Sequence, residues 1–393
     1  MHVCFVNLHH APDAADPDAL VAGDVTRRGF GAALVARGHR VTVVQEAPWR
    51  ARVERDGVVW ELVPPSAVTF ASRRAFALAG HPSPRVPAPA TSVLPVVEAL
   101  RPDVIHSFDL VFYPSLALLG QLSRRLAIPL VAHFHGGAPA RRPGYRHLAR
   151  YALARTDRAL FTTAERGAAW VRAGLLAESR VAELVETSTF FRLRDRATAR
   201  ARTGLQGDPL YVCAGRLDAV KDPLTTLDGF ARIARRRPGA RLVMTWTDAP
   251  LLPAVARRVV SDPVLAPRVD LRGPVAHADM ESLLASADYL LQSSVREVCG
   301  VVVLEALACG VAPVLTDIPP FRRLTDEGRV GALFPRGDAV ALAAQALALA
   351  DGDRAAQARA AAARFDAALA FPALAAELEA IYRGVIGGPK GRW

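Results

Sequence analysis

Short apolar runs alternate with amphipathic stretches along almost the whole chain. In the first half the runs are HVCFVN at the start, RVTVVQ at 40–45, VVWELV at 58–63, DVIHSF at 103–108, LVAHFH at 130–135 and RALFTT at 158–163. They are mostly apolar rather than strictly alternating, so they predict strands buried on both faces. Helical patterns fall between them, beginning with one capped by Asp24. Repeated strand–helix units predict a parallel sheet covered on both sides. Residues 64–95 break the rhythm with many prolines, notably HPSPRVPAPA at 81–90, and predict a long surface connection. The alternation restarts with PLYVCAG at 209–215, RLVMTW at 241–246, RVDLRG at 268–273, YLLQSS at 289–294, APVLTD at 312–317 and GALFPRG at 331–337. Among the intervening helices, DPLTTLDGFARIARRR carries Pro223 at a first-turn position. The pattern is that of two doubly wound α/β domains, 1–195 and 205–370, separated in the charged, small-residue stretch 192–208. An Ala-rich helix is expected from Ala339 to Arg364 and a last helix near 372–384, in a final segment 371–393 whose GGPKGRW tail frays.

Composition narrows the class. The 393 residues suffice for two hydrophobic cores, and 51% hydrophobic with 22% charged residues excludes a disordered chain. No run of about 18 apolar residues predicts a membrane span. The opening MHVCFVNLHH reads as a strand rather than a leader, and Cys4, Cys213, Cys299 and Cys309 form no C-x-x-C pair. Reduced core thiols in a cytoplasmic protein are therefore expected. The net charge of +11 is uneven: residues 1–200 hold 26 arginines against 17 carboxylates. Such a field favours an anionic acceptor, a membrane surface or nucleic acid, although an Arg-rich solvated surface is the plainest explanation. No aromatic-interleaved basic patch supports nucleic-acid binding, and no G-x-G-x-x-G or Walker loop supports a dehydrogenase or a P-loop ATPase.

The chemistry concentrates in SSVREVCGVVVLEALACGVAPVLTDIPP, residues 293–320. Glu305 is the one charged residue of an otherwise apolar helix, 301–308, and a carboxylate there needs a hydrogen-bonding partner. Glu297 lies eight residues earlier, in the loop that opens the helix. Gly300 permits a turn through which both carboxylates can reach one ligand across the helix N-terminus. The first N–H groups there, from Val301 and Val302, suit a phosphate. Alone, either glutamate would read as structural. CAGRLDAVKDP at 213–223 places Arg216 and Lys221 at a strand end, a pair suited to a pyrophosphate leaving group. His133 and His135 share a face at the end of another strand, before two glycines. His106 sits in RPDVIHSFD. His9–His10 in the first loop have no third ligand at suitable spacing, so no metal is expected, and Asp16-Pro17-Asp18 reads as a solvated turn.

The pattern S-x-x-x-E-x-x-G-x-x-x-x-E-A-x-A-x-G-x-x-P-V, from Ser293 through Glu297, Gly300, Glu305 and Gly310 to Val314, resembles the E-x7-E signature of retaining glycosyltransferases of family 4, the glycosyl transferases group 1, which have the GT-B fold. The spacing of Gly215, Arg216 and Lys221 resembles that family's G-R-x-x-x-x-K element. The resemblance implies two Rossmann-like domains facing a cleft, with the last helix packing back on the first. It implies a retaining hexosyltransferase that takes a hexose-type sugar from a nucleotide-diphosphate sugar without an obligatory metal or other cofactor. Glu305 would hold ribose hydroxyls and Glu297 hexose hydroxyls. Arg216, Lys221 and the N–H groups of Val301 and Val302 at Gly300 would hold the diphosphate. His135 would contact the donor sugar near the reacting centre. The first loop, with His10 and Gly23, falls on the acceptor side, and His106 has a structural or acceptor-side role. The implied acceptor is a sugar, a lipid-linked or a small molecule; a peripheral contact with anionic membrane at the inner face is compatible, and nucleic acid is not implied. Three departures bear on the donor. The family's E-G-F-G is Glu297-Val298-Cys299-Gly300, its Asn-Gly-Val-Asp is Glu186-Thr187-Ser188-Thr189, and its V-G-x-G gives way to MTWTDAP with Trp246 and Thr247. A nucleotide-sugar epimerase of the same fold and a non-catalytic sugar-nucleotide-binding protein remain as alternatives.

Overall fold

The structure, a computed structural model, describes residues 1–8, 14–78 and 89–387. It divides into two compact units, Met1–Thr187 with Phe371–Trp393, and Ser188–Ala370.

In the first unit the described residues form an eight-stranded sheet. Its strands are β1 (His2–Asn7), β2 (Arg40–Glu46), β3 (Ala51–Arg55), β4 (Val58–Val63), β5 (Val104–Ser107), β6 (Leu130–His133), β7 (Arg158–Phe161) and β8 (Val181–Glu183), in the order β3-β4-β2-β1-β5-β6-β7-β8. All neighbours run parallel except β3 and β4. Every residue of β1, β5 and β6 is buried, as strands between two helical layers must be. The β3–β4 hairpin is an element the hydrophobic pattern did not announce, because ARVER is half polar. Its signal was the Asp56-Gly57 pair, whose φ values of 54° and 74° make the primed turn that suits a two-residue hairpin. The stretch before Asp24 is partly helical, Pro17–Gly23, with Asp16 accepting from the Ala19 N–H at 2.7 Å. Asp16-Pro17-Asp18 is thus a helix start rather than a free turn. The proline-rich connection likewise contains a helix, Ala67–Leu78.

The last helix, Phe371–Ile386, belongs to the first unit. Phe371 meets Phe30 edge-on at 5.5 Å. Glu379, buried, takes Arg37 at 2.5 Å and lies 3.3 Å from His39, with Arg383 also on its carboxylate. Tyr382 shares a 2.5 Å hydrogen bond with His106.

In the second unit a six-stranded, wholly parallel sheet runs β11-β10-β9-β12-β13-β14 among the described residues. The strands are β9 (Leu210–Ala214), β10 (Arg241–Thr245), β11 (Val269–Gly273), β12 (Tyr289–Gln292), β13 (Ala312–Thr316) and β14 (Ala332–Phe334). Tyr211, Phe230, Leu242, Met244, Tyr289 and Phe334 lie in its core. The stretch 188–204 attaches to this unit through buried Asp288, which takes Arg196 at 2.9 Å, Arg200 at 2.8 Å and the Leu210 N–H at 2.7 Å. The Ala-rich region is two helices, Ala339–Ala350 and Arg354–Ala368. Asp353 caps the second through the N–H groups of Ala355 and Ala356, so the Asp351-Gly352-Asp353 punctuation outweighs alanine's helix propensity.

Each sheet has one place where its strand order reverses, β1 beside β5 in the first unit and β9 beside β12 in the second. Open parallel sheets bind ligands beyond the carboxyl ends of the strands at such a point.

Gly29 tests the seat of the last helix. A Cβ there would lie 2.2 Å from the Phe371 ring. Gly29→Ala should gain up to about 1 kcal/mol of helix propensity but lose about 1–3 kcal/mol to overpacking. The expected net result is a lower urea midpoint, measured by circular dichroism.

Candidate active site

The β9–β12 reversal gathers the charged residues. After β9 the chain turns at Gly215, φ 145°, and Arg216 emerges half-exposed, 3.1 Å from Asp218. The Asp218 carboxylate accepts from the N–H groups of both Val220 and Lys221 at 2.9 Å, closing a turn that presents the Lys221 side chain. Asp222 then caps the helix Pro223–Arg236 through Thr225. The loop after β12 is fastened to this one. The Val295 N–H donates to the Val220 carbonyl at 2.8 Å, and the Ser293 hydroxyl to the Asp222 carbonyl at 2.5 Å. The result is a contact between residues 76 positions apart: Lys221 Nζ lies 2.5 Å from Glu297 Oε1, which also accepts from the Ser294 hydroxyl at 2.7 Å.

Three residues on, Gly300 caps the helix Val301–Ala308 with φ 96° and no side-chain bond to its first turn. The conformation favours glycine, and so does the space: a Cβ would come within 2.7 Å of Phe321. A residue with no side-chain oxygen leaves the positive end of the helix, with the N–H groups of Val301 and Val302, without a side-chain cap. Val301 is 44% exposed at that end while the rest of the helix turns inward.

Glu305 is buried on that helix, and desolvation pushes its pKa up to about 7. Its carboxylate lies 3.8 Å from Nδ1 of His277, whose ring stacks on Phe191 at 5.0 Å. Lys221, Glu297 and the Gly300 turn thus form one group, and Glu305 lies further along the helix beside His277 and Phe191. Sequence reasoning did not single out His277, Phe191, Asp218 or Ser294. Only Asp218 and Ser294 had a signal, since both lie inside the quoted motifs. Trp246 is half-buried against this unit's core beside Gly273.

In the first unit the carboxyl ends of β5 and β6 carry an aromatic and imidazole cluster. His106 stacks on Phe108 at 4.4 Å and 4°, His133 and His135 lie 4.9 Å apart, and His135 lies 5.6 Å from Phe108. Burial drives His106 well below the usual histidine range, helped by His133 and Arg27, and lowers His133 to about 3. Gly136 and Gly137, φ 134° and 104°, turn the chain immediately after His135. Gly23 ends the helix Pro17–Gly23 with open space around it, so neither packing nor a positive φ requires a glycine there. His10 lies outside the described residues. Among the described residues no three His, Cys, Asp or Glu side chains are arranged to hold a metal ion, and no helix is long and apolar enough to cross a membrane.

A mostly parallel two-unit α/β fold with a cation, a carboxylate and a helix N-terminus at the sheet reversal fits one class, the GT-B glycosyltransferases. Comparison with known proteins agrees. Residues 208–351 match the profile of the Glycosyl transferases group 1 family and residues 28–181 that of Glycosyltransferase Family 4. The chain belongs to this family and is a glycosyltransferase. It is 29% identical over 278 residues to a GDP-mannose:cellobiosyl-diphosphopolyprenol alpha-mannosyltransferase of Xanthomonas oryzae pv. oryzae, covering 67% of this chain and 69% of that one. It is 28% identical over 299 residues to a GDP-mannose-dependent alpha-(1-6)-phosphatidylinositol dimannoside mannosyltransferase of Mycobacterium tuberculosis, with 73% of each covered. Among solved structures, sucrose-phosphate synthase from Thermosynechococcus elongatus superposes with a TM-score of 0.68 at 19% identity, over 98% of this chain and 99% of that one. Anabaena HepE in complex with UDP gives 0.66 at 17% identity, over 97% and 99%. The fold is GT-B.

The pKa of Glu305 predicts a pH signature. Raised from 4.5 to about 7, it lets the folded chain keep a proton that the unfolded chain releases between those values. Stability from this residue is therefore lost as pH rises through that window. Glu305→Gln should stabilise the protein by up to roughly 3 kcal/mol at pH 8 and by little at pH 5, read from urea unfolding at the two pH values.

Proposed function

We propose that this glycosyltransferase moves a hexose from a nucleotide-diphosphate sugar to a lipid-linked, anionic acceptor with retention of anomeric configuration, and that it needs no metal ion. The observation that carries the donor half is the meeting of Lys221 and Glu297 beside an uncapped helix N-terminus at the β9–β12 reversal. Lys221, Arg216 and the N–H groups of Val301 and Val302 take the diphosphate. Fixed positive groups aimed at a leaving anion supply the stabilisation that a bound cation would otherwise give. Glu297, released from Lys221, accepts from sugar hydroxyls, and Glu305 accepts from the ribose. The family resemblance assigns His135 to the donor sugar.

Retention follows from one front-face step. The acceptor oxygen bonds to the anomeric carbon on the side the diphosphate leaves, and the leaving phosphate oxygen takes the acceptor's proton. No separate protein nucleophile is required.

Both mannosyltransferase relatives are named for GDP-mannose and for acceptors on polyprenol or phosphatidylinositol, which makes GDP-mannose the first donor to try. The same names, with the basic first unit, support the lipid-linked acceptor. Residues 113–183 hold eleven arginines against four carboxylates. The helices Tyr113–Leu126, Pro143–Leu153 and Ala164–Arg172 connect β5 through β8 in one direction, and right-handed crossovers put all three on one face of the sheet. The middle helix and the residues leading into it expose Arg141, Arg142, Arg146 and Arg150. An anionic bilayer suits that face, each arginine near it being worth about 1 kcal/mol.

Two measurements test this reading. In a thermal-shift screen of nucleoside diphosphates and nucleotide sugars, one base should stabilise the protein, by about 2.7 kcal/mol at 100 times its dissociation constant. With that sugar nucleotide, Lys221→Ala should lower kcat roughly 100-fold or more. Binding without transfer to any acceptor would favour the non-catalytic reading, and conversion of the sugar without acceptor an epimerase. In the second, vesicles containing phosphatidylglycerol should retain the protein at low salt and release it at 0.5 M salt, where the Debye length is about 4 Å. Failure to sediment with anionic vesicles would remove the membrane part of the reading.

A further inference from the structure

The last helix does more than cover the first sheet. Tyr382 is fully buried, and its hydroxyl meets Nδ1 of His106, also fully buried, across 276 residues of sequence at 2.5 Å. The His106 ring is wedged from several sides. It stacks almost coplanar on Phe108 at 4.4 Å, meets Phe5 edge-on at 5.5 Å and meets His133 at 5.6 Å. Phe108 in turn touches His135 at 5.6 Å and carries the Arg27 guanidinium on its ring at 5.3 Å. Among the described residues His106 Nε2 has no hydrogen-bond partner, so the Tyr382 contact is the one hydrogen bond seen to orient the ring.

Both members of that contact are held neutral. Burial raises Tyr382 well above the usual phenol range and lowers His106 well below the usual imidazole range. A neutral imidazole has two tautomers, and a phenol that keeps its proton and donates it selects the one with hydrogen on Nε2. Tyrosine is the residue this requires, because phenylalanine would fill the same volume and select neither.

We propose that Tyr382 is a positioning residue for the transfer reaction: its hydroxyl donates to His106 Nδ1, fixing tautomer and ring plane, and the His106–Phe108 stack holds the imidazole of His135. The consequence for catalysis rests on the reading of His135 as a donor-sugar contact; the coupling between the rings does not. Tyr382 would touch no substrate.

The test uses the full-length chain labelled with 15N-histidine, with His106→Gln and His135→Ala identifying the two sets of signals. In the wild type between pH 6 and 8, His106 should show hydrogen on Nε2 and a bare Nδ1. In Tyr382→Phe it should become a tautomer mixture, and the ring signals of His135 should move. Hydrogen on Nδ1 in the wild type would overturn the proposal without any variant having to fold, and so would His135 signals unmoved by Tyr382→Phe. With GDP-mannose, or whichever sugar nucleotide the screen identifies, Tyr382→Phe should lower kcat roughly 10- to 100-fold at unchanged donor KM. A purely structural role would leave kcat intact in the folded fraction and overturn the proposal. If His135→Ala keeps full turnover while Tyr382→Phe still shifts the His135 signals, the role given to His135 fails and the ring coupling stands.

Discussion

The second unit's site hangs on one short ion pair. Lys221 and Glu297 are mostly shielded from water, at 18% and 11% side-chain exposure, and neither would be comfortable there alone. Held together, with the Ser294 hydroxyl on the same oxygen, they neutralise one another. Anything that separates them must replace both halves of the contact. It must bring negative charge to the ammonium and hydrogen-bond donors to the carboxylate. Bare phosphate offers the first and leaves Glu297 facing an anion, and a free sugar offers only the second. Under the donor reading, the pair itself discriminates in favour of molecules that join a diphosphate to hydroxyls.

The sheet ends of the two units have opposite electrostatics. The sheet end in the second is built of fixed charge and of a helix terminus that Gly300 leaves without a side-chain cap. The sheet end in the first is a packed group of imidazoles and phenyl rings, in which burial keeps His106 and His133 uncharged. Under the donor reading, a leaving diphosphate needs the former.

Most of the fold was legible because strands buried on both faces announce themselves as unbroken apolar runs. What escaped was polar or punctuated. The edge strand β3 alternates Arg and Glu with small residues, and β8 is three residues long. The helix Pro17–Gly23 hid in a segment whose aspartates resembled a turn. The Ala-rich region broke where Asp353 offered a better start than continuation. The site was legible for a different reason, that its residues cluster in two short motifs. His277 and Phe191 were not, since their place beside Glu305 depends on how far-apart segments pack, and no local pattern encodes that. Tyr382 carries no local signal either, since its partner His106 lies 276 positions away in the chain.

The return of the last helix to the first unit has a bearing on how the chain is made. The first unit begins at Met1 and is completed by Phe371 onward, so the second unit is in effect an insertion within it. During synthesis, which proceeds from the amino end, Ser188–Ala370 has all its strands in hand before the unit that precedes it can close. Until the helix Phe371–Ile386 emerges, Phe30 and Gly29 lack the phenyl ring that covers them and His106 lacks its phenol. Order of appearance and order of completion are reversed. The His106 ring thus acquires its hydrogen-bond partner only after the whole of Ser188–Ala370 has been made.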